Sequence, residues 1–167
     1  MHDTVNAEAQ NIIATLGLKP LPREGGWFGQ QYVSEERRAD GRALKSLIWF
    51  LLIEGDFSAL HRLRSAESWV FHSGDPVEHV QLDPETGSVL TTPLGVDVPA
   101  DAKRRLVAPA GVWQGARIMA CARPRGWSLL TCQMTPAWAE EEFELADRTV
   151  LLGAFPGAAA HIRALTR

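Results

Sequence analysis

The chain has 167 residues, a length that suits one domain and allows a sizeable core to be buried. Hydrophobic residues make up 46% of the chain and charged residues 22%, a composition that excludes general disorder. The 17 basic and 20 acidic residues give a net charge of −3 without a basic block. Because nucleic-acid binders carry a clustered positive surface, the sequence predicts no nucleic-acid partner.

The cysteines and the apolar runs bear on the cellular compartment. Cys121 and Cys132 have no CxxC or zinc-finger spacing, so we expect two reduced, buried thiols, with a disulfide as the alternative. The polar start, MHDTVNAEAQN, lacks a signal-peptide pattern. The longest apolar run, 47–53, is too short to span a bilayer. The sequence therefore predicts a cytoplasmic protein with no membrane partner.

The first predicted element is a helix over about residues 4–16. Apolar side chains recur there at helical spacing, and Gly17 is suited to cap the C-terminus. A bend at Gly25 and Gly26, followed by two aromatic residues, leads into the first barrel strand near residue 26. Nothing in the local sequence decides whether Glu24, beside this bend, faces a pocket.

A charged stretch and an apolar run follow. Residues 35–42 predict a solvated loop, in which Arg37, Arg38 and Arg42 form either ordinary surface or a phosphate site. Residues 46–53 (SLIWFLLI) are continuously apolar and predict a strand that is covered on both faces, as in a sandwich or a closed barrel.

Residues 55–74 predict two short strands around a tight connection. Because side chains alternate along a strand, His61 and Leu63 share a face of the first strand. Glu67, Trp69 and Phe71 share a face of the second. If these faces look inward, an imidazole and a carboxylate are enclosed in an apolar cavity. Burying both groups is costly unless they pair with each other, a metal or a ligand, so they form either a structural pair or a site.

The remainder of the chain predicts more strands and then helices. Short strands separated by turns continue to about residue 134 and favour an all-β sandwich or barrel. Periodicity leaves open which face of strand 127–134 lines the interior. The segment over about 138–165 predicts short helices, one of them capped by Asp147, that cover one end of the barrel.

Two motifs resemble those of the cupin superfamily. The first motif has the order Gly, His-x-His, Glu, Gly. Its glycines, first histidine and glutamate match at Gly55, His61, Glu67 and Gly74, and Leu63 stands at the second histidine. The second motif, Pro-x-Gly-x-x-His, matches at residues 109 and 111, with residue 114, a glutamine, at the histidine position.

Further segments narrow the resemblance to the branch called Cupin_5, or DUF985, over nearly the whole chain. They are residues 24–28, 48–52, 61–63, 67–69, 71–76, 107–114, 143–145 and 152–156. The resemblance implies an all-β, RmlC-like cupin: a double-stranded β-helix, or jelly-roll barrel, with an N-terminal helix and short C-terminal helices. It also implies one domain and a homodimer, but no settled reaction.

A typical metal cupin offers three histidines and one glutamate to its ion. By this resemblance the chain keeps only His61 and Glu67, because Leu63 cannot bind a metal and Gln114 is a weak, neutral ligand. One nitrogen donor and one carboxylate rarely hold a transition metal. The sequence thus predicts no tightly bound metal and no cofactor.

The leading functional hypothesis is a small-molecule-binding cupin that acts as a metal-independent sugar epimerase or isomerase. A histidine and a carboxylate in an apolar cavity suit proton abstraction next to a carbonyl, with His61 as the base and Glu67 orienting it. In this hypothesis Gln114 forms a hydrogen bond to a substrate oxygen. The side chains expected to surround the substrate are Phe50, Leu63, Trp69 and Phe71.

The epimerase hypothesis leaves an acid partner unassigned, because Tyr32, the single tyrosine, lies in another segment. Arg62 and Arg64 are predicted to point away from the cavity and so offer no clamp for a diphosphate. Two alternatives stay open: a non-catalytic protein that binds a small metabolite, and a metal-dependent, dioxygenase-like cupin.

Overall fold

The computed structural model describes residues 6–96 and 102–167. Strands dominate this part of the chain, as predicted for a jelly roll. They are β1 (Lys19–Pro20), β2 (Trp27–Val33), β3 (Ser46–Ile53), β4 (Phe57–Leu63), β5 (Glu67–Gly74), β6 (Val77–Leu82), β7 (Val89–Leu94), β8 (Arg105–Ala108), β9 (Trp113–Ile118), β10 (Trp127–Met134) and β11 (Phe143–Leu145). The predicted barrel, about 26–134, therefore gains one short strand on each side.

Two antiparallel sheets face each other. One has the order β1-β2-β3-β10-β5-β8, and the other has the order β11-β4-β9-β6-β7. Their inner faces meet in a common apolar core, to which Phe50 and Trp69 contribute from the first sheet and Val77 and Ala116 from the second. The expected all-β architecture, a jelly-roll barrel, is confirmed.

One helix precedes the barrel. Helix α1 (Ala7–Leu16) begins after Asn6, whose side chain accepts a hydrogen bond from the backbone N–H of Ala9, and it ends at Gly17, which has a φ of 63°. Both caps satisfy backbone groups that a free helix end leaves without partners. The predicted helix is confirmed from residue 7, and positions 4 and 5 lie outside the described residues.

Strand β3 is covered on both faces, as its continuous apolar run predicted. Its inward side chains, Phe50 and Leu52, belong to the core between the sheets. On the outer face, Leu51 packs with Ala9 of α1 and with Trp127. The N-terminal helix thus covers the outside of the first sheet, which would otherwise expose apolar surface to water.

The C-terminal helices cover the outside of the second sheet. Helix α2 (Arg148–Ala154) begins at Asp147, whose Oδ1 accepts a hydrogen bond from Val150 N at 2.9 Å, as predicted. Side chains of α2 and of helix α3 (Ala159–Ala164) pack on Leu60 and Val80. These helices were expected over one end of the barrel, but they lie on a sheet face, because the outward apolar residues of β4 and β6 need cover.

The remaining expectations concern thiols and membranes. Cys121 and Cys132 are both free thiols. Cys132 is buried, as expected, whereas Cys121 is only partly buried. In the stretches 6–96 and 102–167, no helix is long and apolar enough to cross a membrane.

The interior of the barrel differs between its two ends. At one end, which we call the filled end, apolar side chains of both sheets pack together, among them Phe71, Val77, Leu94 and Leu130. At the other end the sheets enclose a cavity of about 730 Å³. This volume lies in the range of small-molecule binding sites.

Candidate functional site

The cavity is mostly apolar, with a few polar groups. Its apolar walls come from the turn after β1, from β2 to β5 and from β10, and they include Leu21, Phe28, Ile48, Phe50, Leu63, Trp69 and Met134. The wall also carries the imidazole of His61 and the carboxyl groups of Glu67 and Glu24, which are buried or nearly buried. An apolar pocket with a few converging polar groups is the usual form of a ligand site.

His61 is fixed so that one ring nitrogen is free. The side chain is 2% exposed, and its Nδ1 lies 2.8 Å from the carbonyl oxygen of Ala59. Because a carbonyl only accepts, Nδ1 carries a proton, and the neutral form of the ring therefore has its lone pair on Nε2. The Phe143 ring stacks on the imidazole at 5.3 Å between centroids. Nε2 has no hydrogen-bond partner among the described residues, so it is available to a ligand.

Glu67 is held through one of its two oxygens. Its Oε2 accepts hydrogen bonds from Gln114 Nε2 at 2.8 Å and from Trp69 Nε1 at 3.1 Å. Oε1 makes no hydrogen bond within the described chain and is the oxygen left for a ligand. Burial raises the pKa of Glu67 to about 7. Both protonation states are therefore populated near neutral pH.

A second histidine supports Glu67 from behind. The Oε1 of Gln114 accepts from Trp69 Nε1 at 2.9 Å and lies 3.3 Å from His79 Nε2, which donates to it. Burial lowers the pKa of His79 to about 3, so its ring is neutral. The sequence analysis missed His79, although alternation along β6 places Val77, His79 and Gln81 on one face.

The predicted pairing of His61 with Glu67 is not formed. No oxygen of Glu67 lies within 4.0 Å of a His61 nitrogen, and the carboxylate beside His61 Nδ1 is Glu24, with its Oε1 at 3.9 Å. Glu24 Oε1 also accepts from Ser58 Oγ at 2.7 Å. The Ala59 carbonyl oxygen, and not Glu67 as expected, therefore orients the His61 ring. Glu67 forms its hydrogen bond with Gln114 instead.

Glu24 reaches the cavity because of the two glycines after it. Gly25 has a φ of 99°, and a Cβ there would lie 2.4 Å from the Phe57 carbonyl oxygen. A Cβ on Gly26 would lie 2.7 Å from the Phe50 ring. Within the turn, Gly26 N donates a hydrogen bond to Asp56 Oδ2 at 2.7 Å. Only glycine permits this close approach, which aims Glu24 inward.

The cavity includes some of the residues predicted to surround a substrate and leaves out others. Phe50, Leu63 and Trp69 line it, together with His61 and Glu67. Phe71 lies in the filled end, since alternate residues of a strand are about 6.6 Å apart and β5 runs from the cavity into the core. Gln114 lies behind Glu67 with both amide atoms bonded, so its expected bond to a substrate oxygen is replaced by its bonds to protein groups.

Strand β10, whose inward face periodicity left open, presents its even-numbered residues to the interior. Cys132 and Met134 line the cavity, and Leu130 is fully buried in the filled end. Burial raises the pKa of the Cys132 thiol well above its ordinary value, and Glu67 raises it further. The thiol therefore stays protonated and is a poor nucleophile at neutral pH.

Comparison with known proteins identifies the family. The family described as Cupin_5, Cupin superfamily (DUF985), matches residues 10–146. The chain belongs to the Cupin_5 family. No curated protein matches it in sequence.

Solved structures support the fold of this Cupin_5 protein. One from Shewanella oneidensis is 33% identical, with a TM-score of 0.86 and coverage of 95% of this chain and 97% of that chain. A hypothetical protein from Leishmania major is 25% identical, with a TM-score of 0.85 and coverage of 95% and 98%. A cupin-2 domain from Rhodospirillum rubrum has 15% identity, a TM-score of 0.57 and coverage of 90% and 91%, a likeness of fold alone.

The donor atoms of this Cupin_5 protein do not fit the ion of a metal cupin. Leu63 has no donor atom, and both amide atoms of Gln114 are bonded to protein groups. Across residues 6–96 and 102–167, no three His, Cys, Asp or Glu side chains are grouped so that they could hold a metal ion. The expected absence of a tightly bound metal is a statement about affinity and stays a prediction.

Proposed function

We propose that this Cupin_5 protein binds a small, largely apolar molecule and transfers a proton at a carbon next to its carbonyl, as isomerases and epimerases do. One observation carries the proposal: His61 and Glu67 line the same apolar cavity, and each has one polar atom, Nε2 and Oε1, that is bonded to no described protein group. A base and an acid that face one bound molecule are what such a reaction requires.

In the proposed reaction His61 is the base. Its Nε2 takes the proton of the carbon next to the carbonyl, so the C–H bond breaks and an N–H bond forms. The resulting positive charge on the ring is stabilised by Glu24, whose Oε1 lies 3.9 Å from Nδ1. The Ala59 carbonyl oxygen holds the ring in the correct tautomer throughout.

Glu67 is the acid, a role that the sequence analysis left unassigned. With a pKa of about 7, its carboxyl group is partly protonated at neutral pH and donates its proton to the carbonyl oxygen as the enol forms. Glu67 then takes its proton back from the enol oxygen, and His61 returns a proton to the same carbon. When the enol turns over in the cavity before this return, the proton arrives on the opposite face and the product is the epimer. Tyr32 is half-exposed and is not part of the cavity wall.

The walls bear on the type of substrate. A sugar bound at His61 would place several hydroxyl groups against the apolar side chains there, and unpaired polar groups are costly to bury. The apolar side chains around His61 instead suit a hydrocarbon skeleton that carries one carbonyl. We therefore favour an apolar keto or aldehyde substrate over the sugar of the initial hypothesis.

The second candidate is a binding protein without catalysis, which the apolar walls favour equally. The dioxygenase alternative has no support in the donor atoms. The homodimer implied by the family resemblance stays a prediction. Light scattering on the protein as it elutes from a size-exclusion column measures the oligomeric state.

Solvent deuterium tests the proposed proton transfer. The purified protein is incubated in D₂O with a panel of small apolar ketones and aldehydes, and mass spectrometry measures deuterium gained at carbon. His61→Gln and Glu67→Gln should each lower exchange of an accepted compound by about a hundredfold or more. His72→Gln is the control, because His72 bonds Thr131 outside the cavity wall.

The pH profile distinguishes the role of Glu67. Exchange by the wild type should fall as the pH rises through about 7, because the acid loses its proton. If no compound gains deuterium while apolar ketones raise the melting temperature of the wild type and of His61→Gln alike, the protein is a binder and the proposal is wrong.

A further inference from the structure

We propose that the ligand of this cavity carries an anionic group, a carboxylate or a phosphate, and binds with its apolar body inward and its anionic group at the rim beside Arg37. The inference rests on the proposed use of the cavity for a small molecule. It adds the charge of that molecule and the direction in which it binds.

A fixed hairpin carries the arginine to the rim. Ser34 N donates to Lys45 O at 3.0 Å, and Arg37 forms an antiparallel bridge with Ala43. The hairpin is also tied to the segment that follows β10, since Ala137 N donates to Ala43 O at 3.1 Å. Residues 35–42, for which the charged sequence predicted a solvated loop, therefore form a structured edge of the cavity.

Three arginines line the cavity, and two of them have carboxylate partners. Arg23 contacts Glu140 at 2.5 Å, and Arg42 contacts Glu142 at the same distance. Arg37 is exposed, and its guanidinium has no hydrogen bond or ion pair with the described residues. The rim thus has a positive charge that no carboxylate of the described chain balances.

The interior has the opposite character. Glu24 and Glu67 are the carboxylates beside His61, and Trp69 and Gln114 donate to the second of them. A carboxylate or phosphate placed there would face two acidic groups in a medium of low polarity, where like charges repel strongly. An anionic group is therefore favoured at Arg37 and disfavoured at the inner wall, which orients the ligand.

The neighbouring Arg38 supplies a matched control. It lies on the same hairpin, but its Nε contacts Asp40 at 3.3 Å and it is not part of the cavity wall. Arg37→Gln and Arg38→Gln remove the same charge from the same hairpin, so they change the net charge equally. A difference between them reports on the cavity alone.

Binding of three probes with one apolar body tests the proposal. They are 4-phenylbutanoate, 4-phenylbutyl phosphate and the neutral 4-phenylbutanamide. Binding is measured by calorimetry and by tryptophan fluorescence, to which Trp69 and Trp138 of the cavity wall contribute. The wild type and Arg38→Gln should bind at least one anionic probe about fivefold or more tighter than the amide. Arg37→Gln should lose that preference and bind the amide as before. The anion that loses more affinity identifies the preferred group.

Three results would overturn the inference: equal affinity of the wild type for all three probes, equal losses in both arginine variants, or no saturable binding of any probe. His61→Gln separates this inference from the proposed reaction. If it binds the anionic probes normally while no deuterium exchange is found in any protein, the anion site stands and the reaction fails. If exchange is intact but the probes bind without preference, only the anion site fails.

Discussion

The filled end and the cavity end of the barrel are built from the same strands but have different interiors. On β5, Phe71 packs in the filled end, whereas Glu67 lines the cavity. On β10, Leu130 packs in the filled end, whereas Met134 lines the cavity. Alternation along a strand decides which side chains face inward. Whether an inward side chain packs or lines a cavity depends on what the opposite sheet contributes at that level.

A polar layer separates the two ends. Glu67, Gln114 and His79 are joined by hydrogen bonds, and the Trp69 ring lies edge-on to His79 at 4.9 Å. Each of these buried groups needs the others, because an unpaired polar group in the interior costs about 1–3 kcal/mol. This layer therefore borders the apolar core on one side. On its other side it holds the ionisable carboxyl group of Glu67 in the cavity wall.

The largest expected effect distinguishes the two ends through one leucine-to-alanine substitution in each. Leu130→Ala in the filled end should lower the free energy of unfolding by about 3–5 kcal/mol, since it removes a fully buried side chain and leaves a new void. Leu63→Ala at the cavity should cost about 1–2 kcal/mol, because that side chain already borders open space. Urea unfolding measures both. Equal losses would mean that the cavity end is packed as tightly as the core.

The next prediction concerns the polar layer and pH. The pKa of Glu67 is about 7 in the folded protein, against 4.5 in an exposed glutamate. Between these values the folded state binds more protons than the unfolded state, so the free energy of unfolding falls as pH rises. Glu67→Gln has no carboxyl group to ionise, so its free energy of unfolding does not fall in this way. Relative to wild type, that free energy should therefore rise by up to about 3 kcal/mol between about pH 4 and about pH 8.

The control for this pH series is Glu85→Gln, which changes an exposed carboxylate in a hairpin turn. His79 contributes an opposite slope, since burial lowers its pKa and stability is lost as pH falls towards about 3. That contribution is common to the wild type and the Glu67 variant and cancels in their difference. A constant difference across the series would contradict the raised pKa of Glu67.

The smallest expected effect is that of metal removal. If the cavity end holds no resident ion, dialysis against a chelator should change the melting temperature by less than about 1 °C, because no bound ion stabilises the folded state. Elemental analysis should find well under one equivalent of manganese, iron, nickel or zinc. One equivalent, together with a lower melting temperature after chelation, would contradict the prediction.

Local patterns were sufficient for most of the fold. The continuous apolar run in β3 predicted cover on both faces, and α1 and the barrel core supply it. Alternation predicted that His61, Glu67 and Trp69 face inward, and all three line the cavity. These features depend on the periodicity of a single strand, so neighbouring residues reveal them.

The partners of the site residues depend on segments far apart in the chain. Glu24 lies beside His61 only because a glycine turn near the N-terminus packs against β4. Arg37, in a charged stretch typical of ordinary surface, lines the cavity because its hairpin is tied to residue 137. No periodicity within one segment indicates such contacts.

By itself, the sequence indicated an all-β barrel that resembles the cupins, with one imidazole and one carboxylate on the apolar faces of two successive strands, and it left the inward face of β10 open. The tertiary structure decided that these two groups do not pair, that Gln114 holds the carboxylate, and that an arginine without a carboxylate partner borders the opening. The reason is physical: alternation along a strand is local, whereas hydrogen bonds and charge pairs depend on which distant segments the folded barrel brings within about 3–4 Å.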